Sequence, residues 1–370
     1  MAIQAGLVGL PNVGKSTLFN ALTKSSIPAE NYPFCTIDPH VAITEVPDAR
    51  MGQLQTLYKS EKLIPATVQF VDIAGLVKGA ASGEGLGNQF LSHIREVDLI
   101  LHVLRCFEDP NIIHTGDTID PLEDYQIINS ELMLKDLESV QKRLVRLEKD
   151  VKSLKTGTPE HKDAHAEYDL LKAVLAALDA ADAPRVRALI AESTVATLPL
   201  LAAKNFLTIA NVAESDLDNK AYEQNKHYQA LVAAFGADRV VPTCAKVAYE
   251  LSQLNDTDAQ EMMGLLGLQE RSLDLIIRKT YQHLGLITFF TCGPKEIHAW
   301  PIKKGKTARQ AAGEIHSDLE RGFIRAEIFN AKDLFTLGSI AAVRDKGKMR
   351  TEGQEYIMQD GDIMLVKFNV

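Results

Sequence analysis

Nine residues near the start of the chain decide its fold: Gly9-Leu10-Pro11-Asn12-Val13-Gly14-Lys15-Ser16-Thr17. They match the phosphate-binding pattern G-x-x-x-x-G-K-[ST] at every position. Residues 3–8 before them predict a buried strand, and the residues from Thr17 onwards predict a helix. We therefore expect a loop between a strand and a helix whose backbone N–H groups point at phosphate oxygens.

The residues of this loop have separate expected roles. Lys15 is expected to reach the β- and γ-phosphates of a nucleotide and to neutralise charge during phosphoryl transfer, which makes it a catalytic candidate. The Ser16 hydroxyl is expected to bind Mg²⁺. The further candidate nucleotide contacts in the loop are Asn12, Val13, Gly14 and Thr17.

Two later segments would complete the phosphate site. The loop of residues 25–39 contains Thr36, a candidate Mg²⁺ ligand that senses the γ-phosphate, with an ordinary turn threonine as the alternative. Residues 66–71 predict a strand that runs into Asp72, the candidate carboxylate that orders Mg²⁺. The N–H of Gly75 can then contact the γ-phosphate. The glycine-rich run that follows lacks the full dinucleotide-binding fingerprint, and we interpret it as a switch segment.

Two further strands predict the base-binding side of the site. Residues 206–210 run into Asn211-Val212-Ala213-Glu214, and residues 239–242 run into Thr243-Cys244-Ala245-Lys246. The second segment resembles the S-A-K turn that flanks the base in nucleotide switches. The candidate base contacts are Asn211, Val212, Glu214, Ala245 and Lys246.

The first of these segments favours adenine over guanine. The guanine-binding pattern N-K-x-D keeps its Asn here but has Val212 and Glu214 at its Lys and Asp positions. Glu214 is one methylene longer than Asp, which spoils the paired contact with guanine. We expect Asn211 to pair with adenine N6–H and N7, and the Val212 N–H to donate to adenine N1. The sequence therefore predicts tighter binding of ATP than of GTP.

Length and composition set outer limits. A chain of 370 residues with 46% hydrophobic residues predicts two or three domains with sizeable cores. It has no apolar run of about 18 residues, its start lacks the pattern of a secretory signal, and its four cysteines form no C-x-x-C pair. We expect a cytoplasmic protein without membrane contact. The net charge is −9, yet residues 284–370 hold 13 Lys and Arg against 11 Asp and Glu, which favours an acidic partner there.

A helical hairpin is predicted in the middle of the chain. Apolar residues alternate at spacings of four and three in two runs, the pattern of a coiled-coil seam. The runs are Met133, Leu137, Val140, Leu144, Leu147, Val151 and Leu154, then Ala164, Tyr168, Leu171, Leu175 and Leu178. Residues 156–159 separate them, so the two helices are expected to be antiparallel. Six basic residues against two acidic ones at residues 142–155 fit either a nucleic-acid contact or a solvated surface.

The last part of the chain predicts a compact β-grasp module. Residues 287–291 and 296–300 predict a hairpin, and Thr307 is expected to cap a helix that continues to Leu319. Strands are expected at residues 323–328, 356–358 and 363–368. Before the last of these lie four basic residues, for which a solvated loop is the simplest interpretation and RNA contact the alternative. They are Arg344, Lys346, Lys348 and Arg350.

Taken together, the four stretches of residues 9–17, 31–36, 72–80 and 83–88 resemble the Obg branch of translation-factor-type P-loop proteins. Over essentially its whole length the chain resembles the YchF or Obg-like ATPase family. The resemblance implies an α/β P-loop NTPase domain (residues 1–125 and 200–283), a coiled-coil insertion (126–199) and a C-terminal TGS domain (284–370). These boundaries agree with the elements expected from the residues.

The resemblance also implies an activity and partners. They are Mg²⁺-dependent ATP hydrolysis, binding to the ribosome (large subunit or 70S particle) and RNA, and modulation of translation or the stress response by a monomer. Two alternatives stay open, namely an Obg-type GTPase and a nucleotide-dependent RNA- or ribosome-binding module with negligible turnover. Nucleotide-dependent co-sedimentation with ribosomes would separate them.

The sequence lacks the usual glutamine that orients the attacking water. Leu76 stands where Ras-type proteins place a glutamine, and a leucine side chain cannot hydrogen-bond water. His114 lies in a polar loop, and the resemblance also points to a histidine in this stretch, so His114 is a catalytic candidate. An idle exposed histidine is the alternative. Asn12 fits either a ligand of a K⁺ ion, as in related P-loop proteins, or a turn-stabilising residue.

Overall fold

The computed structural model describes residues 3–26, 40–73, 86–112 and 118–369, and of residues 86–89 the backbone alone. Within these ranges the chain forms twelve strands. They are β1 (Gln4–Val8), β2 (Val41–Glu45), β3 (Lys62–Ile64), β4 (Thr67–Asp72), β5 (Leu99–Arg105), β6 (Asn205–Asn211), β7 (Val240–Thr243), β8 (Leu286–Cys292), β9 (Glu296–Lys303), β10 (Phe323–Asn330), β11 (Arg350–Glu352) and β12 (Asp362–Phe368).

The same ranges contain fourteen α-helices. They are α1 (Lys15–Lys24), α2 (Arg50–Tyr58), α3 (Leu86–Glu96), α4 (Pro121–Ser153), α5 (Pro159–Asp179), α6 (Ala183–Glu192), α7 (Lys226–Phe235), α8 (Ala245–Gln253), α9 (Asp256–Leu265), α10 (Ser272–His283), α11 (Ala308–Ile315), α12 (Ser317–Arg321), α13 (Ala331–Leu337) and α14 (Ile340–Asp345). In the described part of the chain, none of these helices has the length and apolar character needed to cross a membrane.

The first sheet confirms the predicted α/β nucleotide-binding fold. Its strand order is β2-β4-β1-β5-β6-β7, and every pair is parallel except β2 with β4. All seven residues of β5 are buried, as expected for a central parallel strand covered on both faces. Because β1, β4, β5, β6 and β7 run in one direction, the segments that follow them meet at one edge, which is where such sheets bind ligands.

The helical hairpin is also present. α4 is 33 residues long, and its side chains up to Leu132 pack in the core of the first sheet. From Met133 onwards its apolar residues pack against α5 in a separate core that includes Val140 and Leu171. Arg143 joins the two helices, since its guanidinium donates to both carboxylate oxygens of Glu167 at 3.0 and 2.6 Å. α6, which the apolar spacing did not predict, packs on the same core.

The second sheet has the order β11-β10-β12-β8-β9-β3. The predicted hairpin is present as the antiparallel pair β8 and β9, and β12 lies parallel to β8. The predicted strand at residues 356–358 is wrong. Tyr356 and Met358 instead pair by backbone hydrogen bonds with Ala308 and Lys306 at the start of α11, so one isolated bridge at Ile357 is all that forms.

Two further predictions for this region need correction. The helix expected to run from Thr307 to Leu319 is interrupted at His316, whose backbone is extended and whose Nδ1 accepts from the Asp318 N–H at 3.1 Å. The four basic side chains of residues 344–350 are exposed, as expected, but these residues do not form one loop. Arg344 lies in the last turn of α14 and Arg350 begins β11. The sequence did not predict these two elements because they are short and have no clear apolar period.

The two sheets are joined by the segment between β2 and β4. β3 pairs parallel with β9, with Lys62 opposite Glu296 and Ile64 opposite His298. Arg50 at the start of α2 donates to Asp360 at 2.7 Å and its guanidinium carbon lies 5.0 Å from the Phe290 ring centroid. A short piece of the predicted nucleotide-binding domain therefore forms an edge strand of the C-terminal sheet.

Candidate functional site

Eight of the predicted site residues line a cleft of about 500 Å³ at the carboxyl edge of the first sheet. Val13, Lys15, Ser16 and Asp72 are not among its lining residues. Its walls come from the phosphate-binding loop, from the segment after β5, and from the ends of β6 and β7. The lining residues are Asn12, Gly14, Thr17, Phe107, Glu108, Asp109, Ile112, Asn211, Val212, Ala213, Glu214, Cys244, Ala245 and Lys246. A larger cavity of about 610 Å³ between β2, α8 and α10 contains none of the predicted site residues, so the smaller cleft is the better candidate.

The phosphate-binding loop has the backbone that its sequence predicts. Asn12 and Gly14 adopt left-handed conformations with φ of 63° and 93°, which glycine and asparagine tolerate better than other residues. A Cβ atom on Gly14 would collide with the side-chain nitrogen of Asn211. α1 begins at Lys15, directly after Gly14, without a side-chain cap. The N–H groups of its first turn have no partner within the helix and are suited to bind an anion.

Lys15 and Asp72 form an ion pair at the base of this loop. Both side chains are half-buried, with exposed fractions of 11% and 19%. Asp72 ends β4, and its neighbour across the ladder is Leu7 on β1, so the parallel register brings this carboxylate beside the loop. The exposed Ser16 hydroxyl and the Asp72 carboxylate are hard oxygen donors of the kind that suits Mg²⁺ bound mainly through nucleotide phosphates. Thr36, Gly75 and His114 lie outside the described residues.

Asn211 connects the loop to the end of β7. Its side-chain amide donates to the Val13 carbonyl oxygen at 2.8 Å, and its side-chain oxygen accepts from the Ala245 N–H at 2.9 Å. The residue is only 5% exposed. The paired contact with adenine N6–H and N7 needs one amide hydrogen and one oxygen lone pair, so these two hydrogen bonds do not exclude it. One amide hydrogen and one lone pair remain for a ligand.

One expectation on the base side needs correction. The Val212 N–H donates to the Thr243 carbonyl oxygen at 2.8 Å, and the Val212 side chain is 1% exposed. This N–H continues the pairing with β7 one residue beyond the end of β6, so it is not free for adenine N1. Sequence inspection treats a backbone N–H in a loop as free, whereas the ladder here continues past the strand ends.

Glu214 and Lys246 face each other across the mouth of the cleft. The Lys246 ammonium lies 3.0 Å from a Glu214 carboxylate oxygen, and both side chains are exposed. The hydrogen bond that the ammonium donates to Glu214, with the attraction of the carboxylate charge, raises the pKa of Lys246. Two residues that the sequence proposed as separate base contacts thus form one charged pair, and the Glu214 carboxylate already has a cationic partner.

One wall of the cleft was missed by sequence reasoning. It is the segment after β5, which contributes Phe107, Glu108, Asp109 and Ile112. No known motif marks these residues. The strand order could have identified this wall. β5 lies between β1, which precedes the phosphate-binding loop, and β6, which ends at Asn211. The segment that follows such a central strand borders the ligand cleft.

Two family models match the chain. Residues 4–143 match MMR_HSR1, described as "50S ribosome-binding GTPase". Residues 286–369 match YchF-GTPase_C, described as "Protein of unknown function (DUF933)". The two matches cover the phosphate-binding loop and the second sheet respectively.

Full-length relatives give the same result. The chain is 45% identical to the "Ribosome-binding ATPase YchF" of Bacillus subtilis (strain 168) and 46% identical to that of Escherichia coli O157:H7, in both cases over 100% of both chains. It also superimposes on the solved "Structure of the Schizosaccharomyces pombe YchF GTPase" with a TM-score of 0.84 and 38% identity, covering 99% of this chain and 97% of the other. On this full-length similarity, the chain belongs to the YchF family.

Proposed function

We propose that this chain is an ATP-hydrolysing switch that binds the ribosome. The observation that carries the proposal is the cleft that brings the phosphate-binding loop together with Asn211. In the same loop Lys15 forms an ion pair with Asp72. The names of the full-length relatives support it, since they are ribosome-binding ATPases. A role in translation or the stress response, in the cytoplasm, is part of the same proposal.

The residues of the cleft have definite parts in the proposed reaction. The N–H groups at the start of α1 and the Lys15 ammonium bind the phosphate chain and neutralise charge that develops on it. Ser16 and Asp72 would hold Mg²⁺, which supplies further charge neutralisation when bound with the nucleotide. Lys15 must exchange part of its contact with Asp72 for a phosphate contact, so the carboxylate becomes available as the nucleotide enters.

ATP rather than GTP is the proposed nucleotide, although the printed names of similar proteins include both ATPase and GTPase. Guanine needs an acceptor for its N1–H and 2-amino group, and Glu214 is the carboxylate at the expected position. Because the Glu214 carboxylate already pairs with Lys246, we expect it to accept less well from guanine. The N1–H and 2-amino donors of bound guanine would then be poorly paired. Adenine does not require this acceptor.

RNA contact is the proposed basis of ribosome binding, with the monomer as the working form. On α4 the side chains of Lys142, Arg146 and Lys149 are exposed. In the C-terminal part Lys304, Lys306 and Lys346 are exposed as well. Both sets offer cations to phosphate groups, and binding that depends on phosphate contacts weakens steeply with salt.

The test is co-sedimentation of the full chain with ribosomes in ATP, GTP or no nucleotide, at low and high salt. We expect binding that changes with ATP and falls as salt rises. Replacing Lys142, Arg146 and Lys149 by Glu should weaken binding while ATP affinity, measured in parallel as a control, stays unchanged. Binding that is absent at low salt, or indifferent to salt and nucleotide, would contradict the proposal. Deletion of residues 284–370 is a poorer test, because Phe290, Phe329 and Ile363 belong to the core shared with the first sheet.

A nucleotide-dependent binding module with negligible turnover is the remaining alternative. Leu76 at the glutamine position is the observation that favours it, because that side chain cannot orient water. Release of phosphate from ATP under single-turnover conditions separates the two functions, since a binding module would leave ATP intact over the time of ribosome engagement.

A further inference from the structure

Arg105 is a buried arginine beside the nucleotide cleft. It is the last residue of β5 and is 1% exposed. Its guanidinium donates three hydrogen bonds to backbone carbonyl oxygens, from Nε to Phe107 at 3.1 Å and from its two terminal nitrogens to Ile112 at 3.0 Å and Asp109 at 3.2 Å. A buried guanidinium is stable only where its donors are satisfied in this way.

These three acceptors all lie in the wall that sequence reasoning missed. The same short segment lines the cleft with Phe107, Asp109 and Ile112. The guanidinium carbon also lies 4.6 Å from the centroid of the Phe107 ring. Arg105 therefore holds both ends and the middle of the segment, as well as its aromatic side chain, although it is not itself among the lining residues.

The strand end on which this segment starts is held independently. The Asn225 side-chain amide donates to the Cys106 carbonyl oxygen and to Asp216, both at 2.9 Å. The Cys106 N–H donates to the Asn211 carbonyl oxygen at 2.8 Å. Loss of the Arg105 contacts should thus disturb the wall beyond residue 106 and leave the end of β5 in register.

We propose that Arg105 is a positioning residue that shapes the nucleoside-side wall of the cleft and thereby sets affinity for the nucleoside part of the ligand. The inference deepens the proposed function and rests on nucleotide binding at this cleft. Phe107 and Glu108 also border a small adjoining cavity with Ala213 and Asp216. The wall therefore lies beside the segment Asn211–Glu214, where we expect the base to bind.

The planar fork of arginine is essential to this role. Three carbonyl oxygens at three different positions along the segment are reached by donors that diverge in a fixed plane. A lysine would keep the positive charge but has one nitrogen, so it cannot serve all three acceptors. A comparison of Arg105→Lys with Arg105→Met therefore separates the effect of the fork from the effect of the charge.

The experiment is calorimetric titration of the full chain and these two variants with Mg²⁺ and ATP, ADP or inorganic triphosphate. Triphosphate needs the phosphate-binding loop alone, whereas ATP and ADP also need the wall. We expect Arg105→Met to weaken ATP and ADP by about tenfold or more and triphosphate by less than about twofold. Arg105→Lys should lose nearly as much as Arg105→Met. Failure of the unmodified chain to bind ATP would instead count against the proposed function.

The matched control is Arg239→Met. The Arg239 guanidinium also donates to a carbonyl oxygen, that of Phe206 at 2.8 Å, and to the Asn205 side chain at 2.7 Å. These partners lie at the start of β6, away from the cleft, so ATP affinity should not change. ATP binding by Arg105→Met within twofold of the unmodified chain, or an equal loss for ATP and triphosphate, would overturn the proposal. Unfolding of both Arg105 variants would also overturn it and assign Arg105 to core stability.

Discussion

Asn211 and Val13, 198 positions apart in the chain, are joined by a 2.8 Å hydrogen bond from the Asn211 side-chain amide to the Val13 carbonyl oxygen. The oxygen of the same side chain accepts from the Ala245 N–H. One buried carboxamide thus sets the spacing between the phosphate-binding loop and the base-side segment. This arrangement makes Asn211 a structural link between the two ends of the proposed ligand, beyond any contact with the base itself.

Replacement of Asn211 should impair nucleotide binding even where the base is not involved. We expect Asn211→Ala to weaken ATP by about tenfold or more, because two buried hydrogen bonds are lost and their partners stay unpaired. Asn211→Asp keeps the acceptor for Ala245 but turns a carboxylate towards the Val13 carbonyl, so it should be at least as harmful. Asn205→Ala is a control, because Asn205 lies at the start of β6 and its side-chain amide donates a hydrogen bond to the His283 carbonyl oxygen. Unchanged ATP affinity in Asn211→Asp would show that the link is dispensable.

His114 is predicted to affect turnover rather than binding. An imidazole can orient water near neutral pH, and Leu76 cannot. We expect His114→Ala to lower kcat by about tenfold or more with little change in ATP affinity. His165→Ala on the exposed surface of α5 serves as the control for a histidine remote from the cleft. Turnover of His114→Ala at the rate of the unmodified chain would eliminate this histidine as the water-orienting group.

A K⁺ ion is predicted to stimulate hydrolysis through Asn12. Exchange of Na⁺ for K⁺ should raise the rate of ATP hydrolysis if the Asn12 side chain helps to bind the ion. Asn12 has φ of 63°, so an alanine there would add backbone strain, whereas Asn12→Gly removes the side chain without it. The K⁺ stimulation should disappear in Asn12→Gly. Its persistence in that variant would assign Asn12 to stabilisation of the turn.

Asp136 on α4 predicts a pH dependence of stability. Its buried carboxylate accepts from the N–H groups of Leu201 and Ala202 at 2.9 and 2.8 Å. Burial raises the pKa of Asp136 to about 6, and the two N–H bonds oppose this shift. The folded-state pKa therefore lies above the ordinary value of 3.8. Protonation of Asp136 stabilises the fold; this contribution to the free energy of unfolding is fully present below pH 3.8 and is lost as the pH rises through about 6.

The measurement is the free energy of unfolding of the unmodified chain minus that of Asp136→Asn, which does not titrate. Between about pH 4.5 and pH 7.5 the difference should fall by about 1–3 kcal/mol. A constant difference would mean that the hydrogen bonds from Leu201 and Ala202 balance the effect of burial on the pKa of Asp136. A difference that rises with pH would mean that they outweigh it.

The parts of the fold that depend on local pattern were predictable from the sequence. The phosphate-binding loop, Asp72 at the end of β4 and the seam around Val140 each follow from neighbouring residues or a short period. The contacts of Asn211 were not predictable, because its partners come from segments distant in the chain. Likewise β3 has three residues and no period, so its place in the second sheet depends on tertiary contact with β9.

Nucleotide preference decides whether the proposed switch is an ATPase or a GTPase. The proposed preference for ATP rests on Glu214, whose carboxylate is paired with Lys246, and on Val212, whose buried side chain replaces the lysine of the guanine-binding pattern. Glu214→Asp shortens the side chain, which should loosen its contact with Lys246 and shift the preference towards GTP.

The most direct measurement is titration of the full chain with ATP and with GTP at the same Mg²⁺ concentration. We predict that ATP binds on the order of ten- to a hundredfold more tightly, since a mismatched base edge costs about 1–3 kcal/mol. If GTP binds as tightly as ATP or more tightly, the proposed preference for ATP is wrong and the chain is better described as a GTPase.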